Sequence, residues 1–421
     1  MRFVAFMAML VIYSLAFFQR TAVPGTIFDE LQHDFSLSAS AVTALGSLFI
    51  YIYAAMQLVV GIVADRYGGR RALLFGGSVM CVGAAMFPAA QTASVLLASR
   101  LLIGFGTSFV YLSVVKEVDT LFASRHFASL LGLVLLASYM GNIAATLPFE
   151  RAVHAFGWRQ SMAVVAGVSI IAVAVAYFVL RQLKHDAPRS GEIPVQLLWD
   201  VLLNRRNRAL LVCGMINFPV TFVVQAVLGK KFLQDVVGLS SAGAATFVLV
   251  MACFCGMAAV SGGPALKLTG QRRKPVIIGA ASMILGSTLL LLFAALVDAP
   301  QWVFLVSYVL LAISMVSSPS TSATMKEVNR PDAVAVTISV LNTATYLGVG
   351  ILGSATGLIL DAFGKAVETT GDRIIYPRTA YITLFACLAG LALVSLLLSI
   401  FRVPETHGRP VTLEEFEREF A

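Results

Sequence analysis

Long apolar stretches separated by short polar segments run through the whole chain. A helix of about 20 apolar residues is long enough to cross the hydrocarbon core of a bilayer. The pattern therefore predicts an all-α integral membrane protein with twelve transmembrane helices. We expect these helices at roughly 4–27, 41–63, 72–90, 95–120, 127–148, 160–180, 209–229, 242–262, 275–297, 302–327, 333–360 and 380–401.

One long polar segment, 181–208, interrupts this pattern near the middle of the chain and carries Pro188, Gly191 and Pro194. We interpret it as a cytoplasmic linker between two domains. Within it, 195–203 has the amphipathic pattern of a helix that lies on the membrane surface. The predicted organisation is an N-terminal six-helix bundle (1–180), the linker, a C-terminal six-helix bundle (209–401) and a cytoplasmic tail (402–421).

A short charged motif occurs twice and relates the two bundles. The segment 61–71 reads GIVADRYGGRR, and 263–273 reads GPALKLTGQRR at a constant offset of 202 residues. A second pair, Lys116-Glu117 and Lys326-Glu327, lies near the ends of the fourth and tenth predicted spans. Two matched positions in two halves indicate a pseudo-twofold axis along the membrane normal.

Composition and charge agree with a membrane protein whose two ends lie in the cytoplasm. Hydrophobic residues make up 58% of the chain and charged residues 12%, and the mean hydropathy is +0.87. With the N-terminus inside, 20 Lys and Arg residues fall on the cytoplasmic side and seven on the other. Because Lys and Arg concentrate in cytoplasmic loops, the net charge of +8 reflects topology and not binding to nucleic acid.

Several function classes find no support in the sequence. The five cysteines all lie inside apolar stretches, where we interpret them as packing residues, and the five histidines form no metal-ligand spacing. No phosphate-binding Walker loop, nucleophile–base pair or pair of carboxylates occurs. We therefore expect no enzyme, no cofactor, no metal and no ATP-driven pump.

The charged motif at 61–71 is a candidate cytoplasmic gate. An aspartate at the C-terminal end of a helix is unfavourable there and needs a basic partner nearby. Glycines permit a tight turn and close approach of helices. The second copy has Lys267 where the first has its aspartate, so we expect an asymmetric gate. The predicted gating residues are Gly61, Asp65, Arg66, Gly68, Arg70, Arg71 and Arg125.

Ionisable groups inside the predicted spans are candidates for binding and coupling, because charge is costly in a bilayer. Arg20 and Arg100 lie inside the first and fourth spans, and a buried guanidinium without a carboxylate partner is expected to bind an anion. No Asp or Glu lies in the middle of any predicted span. The coupling candidates are therefore Lys116, Glu117, Lys326 and Glu327, for which a plain charged pair at a helix end is an equal alternative.

Polar side chains within the spans could line a central substrate cavity. Each could also serve as a hydrogen bond between helices. Besides the two arginines, the predicted substrate-binding residues are Tyr13, Tyr139, Asn142, Asn217, Gln225, Asn342 and Tyr346.

The motif at 61–71 and the Arg100-x-x-x-Gly104-x-Gly106 pattern in the fourth span resemble those of the major facilitator superfamily. The resemblance covers nearly the whole chain. It implies a monomeric secondary transporter of the bacterial inner membrane that moves a small molecule by alternating access, with lipid around it and protons as a possible coupling ion.

Among the branches of that family, the chain resembles organic-anion, sugar-phosphate and Pht-like amino-acid permeases. The resemblance rests on 17–20, 35–38 and 53–57, and it places Arg20 and Arg100 at the anion site or in its coupling network. The chain departs from this pattern at Gln19 and Thr107, where many symporters have acidic residues, and the seventh span has no matching arginine. We therefore expect transport of a carboxylate or amino acid, and proton coupling stays open.

Three alternatives remain at this stage. The tail Val403-Pro-Glu405-Thr406 is similar to the ending of sugar porters. Drug efflux is less favoured, because 137–142 lacks the Gly-Pro pair that drug–proton antiporters usually carry in the fifth span. A sensor that binds its ligand without moving it would use the linker helix and the acidic tail to dock a partner.

Overall fold

The computed structural model describes residues 2–122, 124–182, 195–330, 333–364, 367–370 and 373–412. In this part of the chain, eleven helical stretches are long and apolar enough to cross a membrane. A bent pair, Leu130–Ala144 with Leu147–Phe156 at 41°, makes a twelfth span. The prediction of an all-α membrane protein with twelve transmembrane helices is thus confirmed.

The N-terminal half contains six spans and one further short helix. Span 4 is formed by two consecutive helices, α5 and α6, and span 5 by α7 and α8. The helices are α1 (Arg2–Ala22), α2 (Phe28–Phe35), α3 (Ala39–Tyr67), α4 (Gly69–Ala89), α5 (Ala93–Ser108), α6 (Val110–Leu121), α7 (Ser124–Ala144), α8 (Leu147–Phe156) and α9 (Trp158–Arg181).

The C-terminal half repeats this plan and adds a two-stranded antiparallel sheet. Its span 10 consists of α15, a short 3-10 helix (Ser314–Ser317) and α16. The other elements are α10 (Val195–Leu203), α11 (Arg205–Ala226), α12 (Gly229–Asp235), α13 (Ser241–Leu268), α14 (Arg273–Leu296), α15 (Gln301–Ile313), α16 (Ser318–Glu327), α17 (Val334–Ala362), β1 (Glu368–Thr370), β2 (Arg373–Ile375) and α18 (Arg378–Phe401).

Local sequence sets the helix ends. Ser38, Thr92 and Ser240 each accept a hydrogen bond from a backbone N–H of the following turn, which caps α3, α5 and α13. The motif at 61–71, expected as a loop of several residues, is almost entirely helical. Only Gly68 interrupts it, with φ +86°, because glycine adopts this backbone conformation without steric cost.

Because twelve spans alternate in direction, both chain ends lie on one side, which we call the terminal face; the opposite side is the far face. The two halves contact each other through α3 and α17. Near the far face, the Asp361 carboxylate accepts hydrogen bonds from the backbone N–H groups of Ala39 and Ser40 at 2.8 and 3.0 Å. A carboxylate at the N-terminus of a helix is favourable, so this contact joins the halves and stabilises the start of α3.

Close helix approach at this junction requires glycine. A Cβ atom on Gly357 of α17 would lie 2.1 Å from Thr43 Oγ1 and 2.6 Å from the Ser40 Cα of α3. Among the described residues, no atom outside the neighbouring backbone of α3 lies within 4 Å of a Cβ built on Gly61. The close approach expected at Gly61 stays a prediction, and the tight contact seen between the halves lies toward the far face.

The linker contributes one described helix, α10, which packs on the C-terminal half. Val201 is buried there, whereas Trp199 and Leu203 are exposed. Asn204 anchors the end of α10, because its Nδ2 donates to Val328 O at 3.0 Å and to Asn329 Oδ1 at 3.1 Å. Residues 183–194 of the linker and 413–421 of the tail lie outside the described residues.

Candidate functional site

A cavity of about 130 Å³ opens between α11, span 10 and α17 of the C-terminal half. The 3-10 helix interrupts span 10 at the cavity wall, and such interruptions of a helix often mark functional hinges. Three predicted substrate residues, Asn217, Asn342 and Tyr346, line the cavity. Its other lining residues are Cys213, Gly214, Phe218, Met315, Ser317, Ser318, Thr321, Ser322, Leu341 and Thr345.

The cavity lining that the structure describes mixes apolar and polar side chains and carries no charged one. Asn217 is held in place, since Ser395 Oγ donates to its Oδ1 at 2.7 Å. Ser317 and Thr321 donate to carbonyl oxygens of their own helical turns, each at 3.1 Å. The lone pairs of these two hydroxyl groups can accept hydrogen bonds from a small polar ligand, and the Asn342 amide can both donate and accept them.

Arg20 reaches this cavity through Tyr346. Arg20 Nη1 donates to Tyr346 Oη at 2.9 Å across the boundary between the halves. The guanidinium lies 4.3–4.9 Å from the ring centres of Phe17, Tyr53 and Tyr346, within the range of cation–π attraction. Its Nε has no hydrogen-bond partner, although the side chain is buried. Aromatic faces only partly replace water around a charge, so Arg20 retains the capacity to bind an anion.

The neighbouring Gln19 is also buried without partners for either amide atom. Most buried polar groups are hydrogen-bonded, so unpaired donors on two successive residues of α1 indicate a place for a ligand or water. Sequence reasoning treated Gln19 only as a departure from the symporter pattern.

Arg100 is placed differently from the prediction. It is fully buried, and it donates from Nε to Leu45 O at 3.1 Å, from Nη1 to Gln19 O at 2.8 Å and from Nη2 to Val23 O at 3.3 Å. Gln19 and Val23 lie at the end of α1, where carbonyl groups lack helical partners and the helix dipole favours positive charge. The expectation that its donors need an anion does not hold for Arg100, because backbone carbonyls occupy them.

The other predicted substrate residues lie away from the described cavity lining. Tyr13 stacks on Tyr111 with ring centres 5.6 Å apart. Asn142 accepts a hydrogen bond from Thr21 Oγ1 at 2.6 Å within the N-terminal half. Tyr139 packs against Gly256 of α13, and Gln225 is buried in α11.

Of the coupling candidates, Glu327 forms an ion pair at the terminal face. Arg273 Nη2 lies 2.9 Å from its Oε1. Arg273 belongs to the second copy of the charged motif, so the motif and the Lys326-Glu327 pair meet within one half. Glu117 is buried beside Gly69 in the N-terminal half. Lys116 lies in the middle of α6, and Lys326 lies in the last turn of α16.

Glu405 also contacts the segment that carries Arg273, beside the Arg273–Glu327 ion pair. In the sequence it was noted only as part of a tail motif. Its carboxylate accepts from the backbone N–H groups of Arg273 and Lys274, at 2.9 and 3.1 Å, and so caps α14. Partial burial opposes ionisation, but these N–H groups and that of His407 hold the pKa of Glu405 below its usual value.

The predicted gating residues show contacts within the N-terminal half. Arg70 Nη1 donates to Leu180 O at 3.2 Å, at the end of α9. Arg66 lies over the ring of Tyr67, and Arg71 is exposed. The side chains of Asp65 and Arg125 lie outside the described residues, so their predicted pairing stays a prediction.

Sequence reasoning missed a buried group of charges at the far face, which we call the far-face cluster. It consists of Asp29, Glu30, Glu150, Lys230, Lys231, Asp235 and Arg373. Lys230 pairs with Glu150 and donates to Thr26 O at 2.6 Å, so it crosses from the C-terminal to the N-terminal half. Lys231 Nζ lies 2.6 Å from Asp29 Oδ1, a second ion pair between the halves.

These groups were overlooked because the sequence places them in short segments between spans, where charges are usually solvated. In the structure Lys231 is 1% exposed and the Asp235 side chain 0%. Asp235 accepts from Arg373 Nη2 and Tyr381 Oη, both at 2.7 Å, which ties α12 to β2 and α18. Together with the α3–α17 contacts, the far-face cluster closes the far face.

A family model described as Major Facilitator Superfamily matches residues 9–269 and 210–421. The chain belongs to this superfamily. The family resemblance of its sequence motifs is confirmed, and the homologues and structural neighbours that it matches are transporters and not enzymes.

Solved structures of the superfamily share the fold. A bacterial homologue of the human lysosomal transporter Spinster, in an inward-facing and unoccupied conformation, gives a TM-score of 0.73 at 18% identity over 96% of this chain and 95% of its own. The nucleoside transporter NupG, as a D323A mutant, gives 0.76 at 14% identity over 95% of this chain and 100% of its own. At these identities the likeness concerns the fold alone.

Curated relatives differ in what their names say they transport. The methylenomycin A resistance protein of Bacillus subtilis is 24% identical over 44% of this chain and 41% of its own length. The multidrug resistance protein MdtL of Escherichia coli is 23% identical over 52% and 56%, and the riboflavin transporter RibZ of Clostridioides difficile 21% identical over 49% and 47%. The matches thus span about half of these relatives, and they do not determine a substrate class.

Proposed function

We propose that the protein is a secondary transporter of a small organic anion or zwitterion, such as a carboxylate or an amino acid. The observation that supports this best is Arg20, a buried cation with an unpaired Nε that is linked to the cavity by Tyr346. An arginine in this position attracts carboxylates, which its planar donors match. The described cavity lining carries no opposing negative charge.

The proposed mechanism is alternating access across the bacterial inner membrane, with both chain ends in the cytoplasm. The structure corresponds in this proposal to the inward-facing state, because the far-face cluster and the α3–α17 contacts join the halves at the far face. Substrate binds between Tyr346 and the hydroxyl groups of span 10. Breaking the far-face contacts then opens the other side.

The motif at 61–71 is proposed to close the terminal face in the opposite state. Asp65 would act there with Arg66, Arg70, Arg71 or Arg125, while the Glu327–Arg273 pair stabilises the matching end of the C-terminal half. The coupling ion is not assigned to Lys116, Glu117, Lys326 or Glu327 in this proposal, since Glu327 is already paired.

Counterflow in proteoliposomes tests the function. Purified protein is first screened for stabilisation by amino acids, mono- and dicarboxylates, sugars and sugar phosphates, and the best ligand is used as a labelled substrate. We expect exchange of a carboxylate or amino acid by the unmodified protein. Arg20→Ala should reduce that exchange at least tenfold, on the order of the 1.4 kcal/mol or more that a charge-assisted hydrogen bond contributes.

Arg159→Ala is the matched control, because Arg159 also lies over an aromatic ring but at the far edge of the N-terminal half. Its exchange rate should stay near that of the unmodified protein. Unchanged exchange by Arg20→Ala would contradict the anion site. Ligand binding without any exchange would favour a sensor over a transporter.

Export is a second candidate for the direction of transport, favoured by the names of the resistance proteins among the relatives. A cationic substrate would be favoured by a carboxylate in the cavity, and the described lining has none. Exported compounds would therefore be neutral or anionic. Vesicles of right-side-out and inside-out orientation, loaded with the same substrate, separate uptake from export.

A further inference from the structure

The far-face cluster carries more negative than positive groups. The N-terminal half supplies Asp29, Glu30 and Glu150 from α2 and α8. The C-terminal half supplies Lys230, Lys231 and Arg373 together with Asp235. Four carboxylates thus face three cations in a largely buried site, so full ionisation would leave one net negative charge without a partner. Burying such a charge is costly, and one carboxylate is expected to hold a proton instead.

Three of the four carboxylates have cationic partners. Glu150 pairs with Lys230. Asp29 lies 2.6 Å from Lys231 Nζ and 3.1 Å from Arg373 Nε. Asp235 accepts from Arg373, Tyr381 and the Tyr376 N–H, the last at 3.2 Å. Burial raises the pKa of Asp235, but both its oxygens are occupied by these donors and Lys231 opposes the shift.

Glu30 is the carboxylate that remains. Its Oε2 is buried and has no hydrogen-bond partner. The charged groups that act on it are Lys230 of α12, Glu150 of α8 and Asp29 of its own helix, so two of the three are like charges. Lys230 is already engaged by Glu150 and by Thr26 O.

We propose that Glu30 is a proton-binding site and that its protonation stabilises the closed far face. Opening separates the two halves of the cluster and exposes α2 to water, where Glu30 releases the proton. Closing buries Glu30 beside Glu150 and Asp29 and takes a proton up from the far side. This site goes beyond the proposed function, because it requires no particular substrate.

The sign of the pH dependence follows from the closed state. Burial raises the pKa of Glu30 above its usual value of 4.5. Lys230 and the backbone N–H of Glu30 oppose this shift, while Glu150 and Asp29 add to it. The closed state therefore binds the proton more tightly than the open state. Between the usual and the raised pKa, acidification should favour closure by up to about tenfold per pH unit, the limit for one linked proton.

Spin labels at Ser94 and Ala242, exposed residues at the far ends of α5 and α13, report the distance between the halves by pulsed electron spin resonance. The measurement uses the full chain in nanodiscs, with the five cysteines replaced by serine. We expect the population with the short distance to rise as the pH is lowered. Glu30→Gln, which resembles the protonated acid, should show the short distance at every pH.

Asp34→Asn is the control, because Asp34 lies on the same helix but pairs with Trp158 and Arg159 outside the far-face cluster. It should keep the pH dependence of the unmodified protein. Glu30→Asp, which retains a carboxylate, should keep a pH-dependent distance. That result would show that the loss of pH dependence in Glu30→Gln does not come from misfolding. A pH dependence in Glu30→Gln equal to that of the unmodified protein would overturn the proposal, as would a pH-independent unmodified protein.

Discussion

Arg100→Ala is expected to lower the free energy of unfolding by about 3–5 kcal/mol, because two buried carbonyl groups at the end of α1, Gln19 O and Val23 O, lose their donor at about 1–3 kcal/mol each before relaxation. The hydrogen bond to Leu45 O would be lost as well, and the end of α1 would lose its connection to α3. Stacking on Phe49, with the guanidinium 4.6 Å from the ring centre, would also be lost. Thermal or denaturant unfolding of the purified protein in detergent measures the effect.

Arg20→Ala is the matched comparison, since it removes the same side chain from the neighbouring helix. Arg20 donates to the hydroxyl of Tyr346, which can find other partners, so its loss should change stability by about 1 kcal/mol while affecting transport more. Arg100→Lys should recover little, because one ammonium group cannot reach carbonyls on two helices in the same geometry. Equal stability of the two alanine variants would refute the structural role of Arg100.

Lys230→Ala should open the far face. Removing one partner of a buried ion pair costs about 3–5 kcal/mol, because the remaining charge stays buried alone. Here that cost falls on the closed state, since opening exposes Glu150 to water. At 1.4 kcal/mol per factor of ten, the closed population relative to the open one should fall by about two to three orders of magnitude. The same pair of spin labels at the far face reports it, and net transport should be lost.

The double variant Lys230→Ala with Glu150→Gln gives the control. If the effect comes from the uncompensated carboxylate, the second change should restore part of the closed population, as a double-mutant cycle requires. Arg378→Ala, which removes an exposed ion pair with Asp298 at the same face, should have little effect, because exposed pairs contribute little. No recovery in the double variant would show that the Lys230–Glu150 pair does not hold the far face closed.

The spans and their number could be predicted because bilayer thickness sets the length of an apolar helix. Within the candidate site, Asn217, Asn342 and Tyr346 were found by their polarity inside apolar helices, and all three line the cavity. Arg20 and Arg100 were both found as charged residues inside predicted spans. Sequence alone cannot separate them, because the partners of Arg100 are backbone carbonyls, which every residue carries.

The far-face cluster could not be predicted for a different reason. Its pairs join residues far apart in the chain, such as Glu150 with Lys230 and Asp29 with Arg373. Charged residues between spans are usually exposed, and nothing local indicates burial. The repeat at 61–71 marked the relationship between the halves, but it did not indicate that the charged contacts described between them lie at the opposite face.

The central claim, that Arg20 recognises a negative charge on the substrate, is tested most directly with a carboxylate and its uncharged amide. Both are titrated as inhibitors of counterflow by the unmodified protein and by Arg20→Ala. We predict that the unmodified protein prefers the carboxylate by at least tenfold, and that Arg20→Ala removes this preference while affinity for the amide changes little. A preference for the carboxylate that persists in Arg20→Ala, or that is absent from the unmodified protein, would contradict the account.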